Sequence, residues 1–323
     1  MSIVNEARAG ATGATSAMVG AVDIGATKVL VGLADDRGHL HPDRLIRFDT
    51  PRESARLVEK VASALSELVG GYVLGVVSCA APGPLDTKAG VLLNFHNRDW
   101  TDVPLGSLLA AGVGAPVVLE DDATAAALGE AIEGAGAGLD PIVYLTVSSG
   151  VGAGIVSGGK LLRGAHGLAG EIGHLVIDAD GPRCGCGRNG DVESFAGGLC
   201  LARRAAELWP ERLLEDGTPA PRTPEEVFDL ARRGDPCAAA LAESAGHAVA
   251  RAIAALAAVA DPERIVIGGS VALAQPDWVE AVTASARELC MVETGAAMDV
   301  VPAALGEKSA LTGAALLGAA RLS

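Results

Sequence analysis

The chain has 323 residues, half of them apolar and only 3% aromatic, and 25 Lys+Arg against 40 Asp+Glu give a net charge of -15. The length suits two domains and the apolar content argues against disorder. The acidic balance argues against nucleic-acid binding, which needs a basic footprint, and with so few aromatics any sugar bound here would be held mainly by hydrogen bonds.

Residues 1–17 are rich in Ala, Gly, Thr and Ser and read as a flexible tail, without the apolar stretch of a secretory leader. No breaker-free apolar run reaches the roughly 18–20 residues of a membrane helix, so a cytoplasmic protein with reduced thiols and no membrane partner is expected. Met18–Val22 and Val29–Ala34 read as strands around the turn Asp23–Lys28, and Asp35–Gly38 reads as a hairpin turn. Leu57, Val58, Val61, Leu65 and Leu68 recur at helical spacing over Ser54–Val69. Val73–Val77 is a short buried strand, broken by Ala81-Pro82-Gly83-Pro84. Strand Val117–Leu119 runs into Asp121-Asp122 and an Ala-rich helix.

The second half opens with strand Ile142–Val147, followed by a hairpin over Ile155–Leu162 that turns at Gly158-Gly159. Arg203–Trp209, Pro224–Arg232 and Pro236–Val259 have helical period and composition. Arg264–Ile267 is a strand ending in Gly268-Gly269-Ser270, and Ser309–Ala320 is a closing helix. Alternating strands and helices indicate α/β layers. The strand-turn-strand pattern occurs twice, at 18–34 and 142–156, which suggests two lobes that grip one phosphorylated ligand.

Several clusters carry possible chemistry, each beside a plainer reading. In Asp23–Lys28 successive amides can cradle phosphate, with Asp23 reaching a Mg²⁺ or its water shell; an ordinary hairpin is the alternative. Ser148-Ser149-Gly150-Val151-Gly152 permits close backbone approach to a diphosphate. A strand follows it, so it is no dinucleotide fingerprint. Asp121 and Asp122 serve either as helix caps or as a base held anionic at a helix N-terminus. Glu171 and His174, three apart, are either a sugar contact and a metal ligand or a solvated Glu and a core His. Cys184 and Cys186 with His174 suit tetrahedral Zn²⁺, against two unligated cysteines in a turn.

In chain order, AVDIGATK at 21–28, AAPGPLD at 80–86, NRDW ending at Trp100, EDDATAAALGE at 120–130, TVSSGVGAGIVSGGKLLRG at 146–164, GLAGEIGH at 167–174, GPRCGCGRNGDVE at 181–193, IVIGGSVALA at 265–274 and LTGAALLGAA at 311–320 resemble the ROK family of repressors and sugar kinases. The likeness runs from about residue 19 to 320. It implies the two-lobed, ribonuclease H-like fold of actin-like ATPases, with sugar in a cleft between two α/β lobes. Residues 18–122, with the terminal helix 309–320, would form the first lobe and 123–308 the second.

By position, Asp122 resembles the catalytic base. Gly83, Asn97, Asp121, Glu171, His174 and Glu193 resemble sugar contacts. Asp23, Gly25, Thr27 and Lys28, with Ser148, Ser149, Gly150 and Gly152, resemble the turns that hold ATP–Mg²⁺, and Gly268 and Gly269 the adenosine side. His174, Cys184, Cys186 and Asp191 fall at the family's zinc positions. Three residues depart from the pattern. Ala26 replaces a usual Gly and Asp121 a usual Asn. Asp191 replaces the third zinc-ligating Cys, so the zinc site persists, weakens or is lost.

The resemblance implies an ATP-dependent sugar kinase acting at the 6-hydroxyl of a hexose or N-acetylhexosamine. The motifs lean to N-acetylmannosamine, with glucose or N-acetylglucosamine as the alternative. A homodimer or homotetramer is expected. A non-catalytic sugar-sensing regulator is the remote alternative: family repressors carry a helix-turn-helix domain before the Asp-x-Gly turn, whereas the 22 residues that precede Asp23 here are not basic as a segment, with Arg8 balanced by Glu6.

Overall fold

Strands β1 (Met18–Ile24) and β2 (Lys28–Ala34) form an antiparallel hairpin, extended by β3 (Leu40–Asp49) across the Asp35–Gly38 turn. The computed structural model describes residues 17–95, 100–211, 213–214 and 219–323, so the predicted tail, apart from Ala17, and Asn97 lie outside the described residues. The Asp35 carboxylate accepts from the amides of Arg37 and His39, which closes the turn. Helix α1 (Ser54–Val69) buries Leu57, Val61, Ala64, Leu65 and Leu68, the stripe expected from its period.

The chain continues through β4 (Leu74–Ala81), then β5 (Leu85–Asp86), β6 (Val91–Phe95) and β7 (Trp100–Val103) as a small antiparallel sheet. Helix α2 (Leu105–Val113) and β8 (Val117–Asp121) lead into α3 (Asp122–Glu133). The main sheet has the order β3-β2-β1-β4-β8. Its apolar residues, among them Val22, Ile24, Val29, Val31, Val77 and Leu119, form one core with the buried stripe of α1.

A second five-stranded sheet has the order β11-β10-β9-β12-β13. Its strands are β9 (Ile142–Val147), β10 (Val151–Ser157), β11 (Lys160–Leu161), β12 (Arg264–Gly268) and β13 (Val300–Pro302). Between β11 and β12 lie α4 (Val192–Ala196), α5 (Gly198–Leu208), α6 (Pro224–Arg232) and α7 (Pro236–Ala260). Three shorter steps follow: α8 (Ser270–Leu273), α9 (Pro276–Leu289) and α10 (Val292–Ala297). Helix α11 (Ser309–Leu322) ends the chain. No helix among the described residues is long and apolar enough to cross a membrane.

The fold divides into two compact units. One takes in the described residues up to Tyr144, with Gly154–Gly170 and Ala303–Ser323; the other is Leu145–Ala153 with Glu171–Pro302. In the first unit α3 is buried along nearly its whole length, Ala123 to Ala131. Small residues make this possible. A Cβ on Gly129 would stand 2.4 Å from the Ser309 carbonyl, and one on Gly313 would stand 1.7 Å from the Ala125 carbonyl. The two helix backbones therefore touch at reciprocal glycines.

Glu130 clamps this crossing. It is fully buried, and its carboxyl accepts from the amides of Ala135 (2.8 Å), Ala304 (3.1 Å) and Leu305 (3.0 Å) and from the Ser309 hydroxyl (2.7 Å). Deleting it removes the acceptor shared by these four donors, three of them part-buried amides and one a buried hydroxyl. Glu130→Ala is expected to lower unfolding stability by at least about 3 kcal/mol in urea titrations, since each hydrogen bond to a charged group contributes about 1.5–3 kcal/mol; a loss below about 1 kcal/mol would show that the crossing holds without it.

Candidate active site and metal centre

Strand register gathers the predicted acidic residues of the first unit. Parallel β1 and β4 set Asp23 opposite Ala80, and parallel β4 and β8 set Ala81 opposite Asp121. Asp23, the loop carrying Gly83, and Asp121-Asp122 thus share the carboxyl edge of three neighbouring parallel strands. Ligands of open α/β sheets bind outside that edge.

The Asp23–Lys28 turn is tied by the Gly25 amide to the Lys28 carbonyl (2.8 Å) and by the Thr50 hydroxyl to the Gly25 carbonyl (2.7 Å). Ala26 is accommodated: among the described residues only Asp102 and Asp261 are non-glycine with positive φ, and the Ala26 methyl packs against the core. Thr27 is exposed, and the Lys28 ammonium donates to Glu307 at 2.6 Å. Asp23 keeps partial exposure. Burial in dense surroundings, opposed by Lys28 and reinforced by Glu307, pushes its carboxyl up to about 7.

Asp121 is the N-cap of α3, its carboxylate accepting from the Thr124 amide at 2.9 Å, and Asp122 occupies the first turn. Two residues escaped the sequence reading. Glu120, buried just before the pair, receives Arg163 Nε (2.7 Å) and Nη2 (2.6 Å), and its other oxygen accepts from the Asp121 amide (3.2 Å). The ion pair buttresses the strand end that carries both aspartates. A charged residue ending an apolar strand, VVLE, was the available signal.

In the second unit the turn Ser148–Gly150 joins β9 to β10. Ser148 Oγ lies 3.1 Å from Ser270 Oγ, directly after Gly268-Gly269. Gly269 has φ +90°, and a Cβ there would stand 2.3 Å from the Val147 carbonyl. The structure thus brings the Ser148–Ser149 turn together with Gly268-Gly269, while Gly152 follows in β10.

Glu171, His174, Cys184, Cys186, Asp191 and Glu193 also converge. Glu171 precedes a 3₁₀ turn over Ile172–His174, and its Oε2 is 4.0 Å from His174 Nε2. His174 Nδ1 faces Asp191 Oδ2 at 3.1 Å and Cys184 Sγ at 3.8 Å, and Cys186 Sγ lies 3.4 Å from Asp191 Oδ2. One ligand atom from each of the four lies within 4.8 Å of the others. Tetrahedral Zn²⁺, with bonds of about 2.0–2.3 Å, sets its ligand atoms roughly 3.3–3.8 Å apart; the His174–Asp191, Cys186–Asp191 and His174–Cys184 separations lie near that spacing, and the donor types suit the ion.

Asp191 divides its oxygens: Oδ1 caps α4 through the Ser194 amide (2.8 Å) and Oδ2 faces the cluster. Burial would raise its pKa, but hydrogen bonds from His174, Cys184, Ser194 and Cys186 hold it down at about 2. The same hydrogen bond, donated by His174 to Asp191, raises the His174 pKa, and burial raises the Cys184 thiol. Glu193 Oε2 accepts from the Val151 amide at 3.0 Å, and Oε1 lies 3.8 Å from Cys184 Sγ.

An acidic helix start at a parallel-sheet edge, two strand-to-glycine turns and this His-Cys-Cys-Asp cluster define the class. The chain belongs to the ROK family, whose model matches residues 19–321, and it is a carbohydrate kinase with the actin-like ATPase fold. It is 34% identical to a glucokinase of Streptomyces coelicolor over 303 residues, 91% of this chain and 95% of that one. It is 35% identical to an N-acetylmannosamine kinase of Escherichia coli O157:H7 over 302 residues, 92% and 97% of the two chains. Among solved structures, a ROK family glucokinase of Streptomyces griseus in complex with glucose and AMPPNP superposes with a TM-score of 0.78 at 33% identity, covering 94% of this chain and 98% of that one.

Asp23 makes stability depend on pH. The folded chain retains a proton near neutrality that the unfolded chain releases near pH 4, so its contribution is full below that value and lost as pH rises through about 7. In urea unfolding of the ligand-free protein, the stability of Asp23→Asn relative to wild type is expected to climb between pH 5 and 8. A pH-independent difference would show that Asp23 titrates as an ordinary carboxyl.

Proposed function

We propose that this chain transfers the γ-phosphoryl group of ATP to the 6-hydroxyl of a hexose or N-acetylhexosamine, with N-acetylmannosamine the first candidate and glucose or N-acetylglucosamine the second. The observation that carries it is the placement of Asp121 as the cap and Asp122 on the first turn of α3, at the same sheet edge as Asp23. The Streptomyces griseus glucokinase holding glucose and AMPPNP supports ATP as donor. Glucokinase and N-acetylmannosamine kinase relatives match almost equally well, at 34% and 35% identity, and so support a hexose kinase with either sugar. The lean to N-acetylmannosamine rests on the motifs at 147–162, 181–190 and 265–274. The resemblance also supports a cytoplasmic homodimer or homotetramer.

In this reading Asp122 accepts the proton of the sugar hydroxyl as it attacks the γ-phosphorus. Asp121, Gly83, Asn97, Glu171, His174 and Glu193 orient the sugar. The amides and hydroxyls of Gly25, Thr27, Ser148, Ser149, Gly150 and Gly152, with Lys28, hold the phosphates, and Gly268-Gly269 receives the adenosine side. Bound Mg²⁺ neutralises phosphate charge, and Asp23 is the residue that would hold it or its water shell. Transfer needs no covalent enzyme intermediate, because positioning and fixed charge lower the barrier.

Coupled assays on a panel of hexoses and N-acetylhexosamines test this directly: ADP is expected with at least one sugar, and none with any would end the kinase reading. Asp122→Asn, which keeps the shape but cannot take a proton, is expected to lose about 10²–10⁴-fold in kcat with sugar affinity largely kept. Near wild-type kcat would reduce Asp122 to a helix-start residue.

Zinc is the second part of the reading. His174, Cys184, Cys186 and Asp191 would hold it, and it would pin the loop that leads into Glu193. A carboxylate in place of a thiolate makes a harder, weaker site. Elemental analysis of protein purified without chelator is expected to give close to one Zn per chain, lost together with thermal stability in Cys184→Ser. Zinc well below one per chain in fully active protein would reject the site.

A further inference from the structure

The turn Ser148–Val151 is gripped from two sides within its own unit. The segment 193–199 makes three hydrogen bonds to it. Val151 N donates to Glu193 Oε2 (3.0 Å), Gly198 N to the Ser148 carbonyl (2.8 Å) and Leu199 N to the Ser149 carbonyl (3.1 Å). On the other side Gly173 presses so close that a Cβ there would stand 2.1 Å from the Val151 carbonyl. Gly150 leaves just enough room for the carboxylate, since a Cβ on it would lie 2.4 Å from Glu193 Oε2.

The allocation of the turn's amides is informative. Ser148 N donates to the Gly150 carbonyl and Val151 N to Glu193. Ser149 N and Gly150 N have no acceptor among the described residues. Two adjacent amides are left to face an anion, and the amide beside them is already satisfied. Glu193 is not needed to cap α4, because Asp191 does that.

We propose that Glu193 is a positioning residue for the phosphate turn: one carboxylate oxygen fixes Val151 and thereby the shape in which Ser149 and Gly150 present their amides to a nucleoside diphosphate. This rests on the reading of the turn as the phosphate site. It gives Glu193 a second task beside the sugar contact expected from the resemblance. Damage at Glu193 then weakens nucleotide binding in protein that holds no sugar.

Calorimetric titration of the sugar-free, full-length protein with MgADP tests it. Glu193→Ala is expected to weaken ADP about tenfold, in line with loss of a hydrogen bond to a charged group. Glu193→Gln keeps a carbonyl oxygen for Val151 and is expected within about twofold of wild type, since the acceptor is retained. Gly150→Ala keeps the carboxylate but displaces it with a methyl, and is expected to weaken ADP as Glu193→Ala does; it carries the test if Glu193→Ala does not fold. Wild-type ADP affinity in either Glu193→Ala or Gly150→Ala, with only the sugar KM raised in the former, would overturn the proposal. Wild-type protein that binds no ADP would remove the nucleotide reading itself, a failure seen before any variant is made.

Discussion

Helix α3 can lie in the interior only because its neighbour comes without side chains at the point of contact. Reciprocal glycines at 129 and 313 let the α3 and α11 backbones meet, and Glu130 satisfies the amides that the approach strands. The proposed base of the first unit is hung on this helix. Asp121 caps it and Asp122 opens it, so their positions are as firm as the packing behind them. The Arg163–Glu120 ion pair secures the same point from the strand side. A base that must meet a hydroxyl proton in one geometry gains from a support that cannot shift.

Where local pattern and tertiary packing agree, the elements were readable in advance. Helix α1 was found over Ser54–Val69 because its apolar stripe is also its buried face. The strand after the serine-glycine turn was anticipated, and β10 is there. Other elements lacked a local signal. Strand β3 carries Pro42 and Asp43 and is nowhere fully buried, so its sequence shows no alternation. Strand β13 is three residues long and exists through pairing with β12. Helix α2, LGSLLAAGV, is short and apolar on several faces, which leaves periodicity ambiguous.

The site divides in the same manner. Motif order pointed to Asp122, Glu171 and the cysteine loop, since residue type and spacing carry that chemistry. The partners of these residues come from distant segments and have no motif. Arg163 lies 43 residues from Glu120, and Val151 lies 42 residues from Glu193. Asp191 shows how a substituted position is absorbed: one oxygen takes the cap of α4 and the other joins His174 and Cys186, two tasks a thiolate could not divide between two atoms.

The shortage of aromatic residues makes the protein its own optical probe. It has three tryptophans. Trp100 is buried, donates its indole N–H to the Arg52 carbonyl and meets Phe95 edge-on, and it follows directly on the segment that contains Asn97. Trp278 meets Phe228 edge-on and donates to the Ala242 carbonyl. Trp100 belongs to one compact unit, and Trp209 and Trp278 to the other. Replacing Trp100 alone, or Trp209 and Trp278 together, therefore separates the tryptophan fluorescence of the two units, and each can be followed through unfolding or ligand addition without an attached dye.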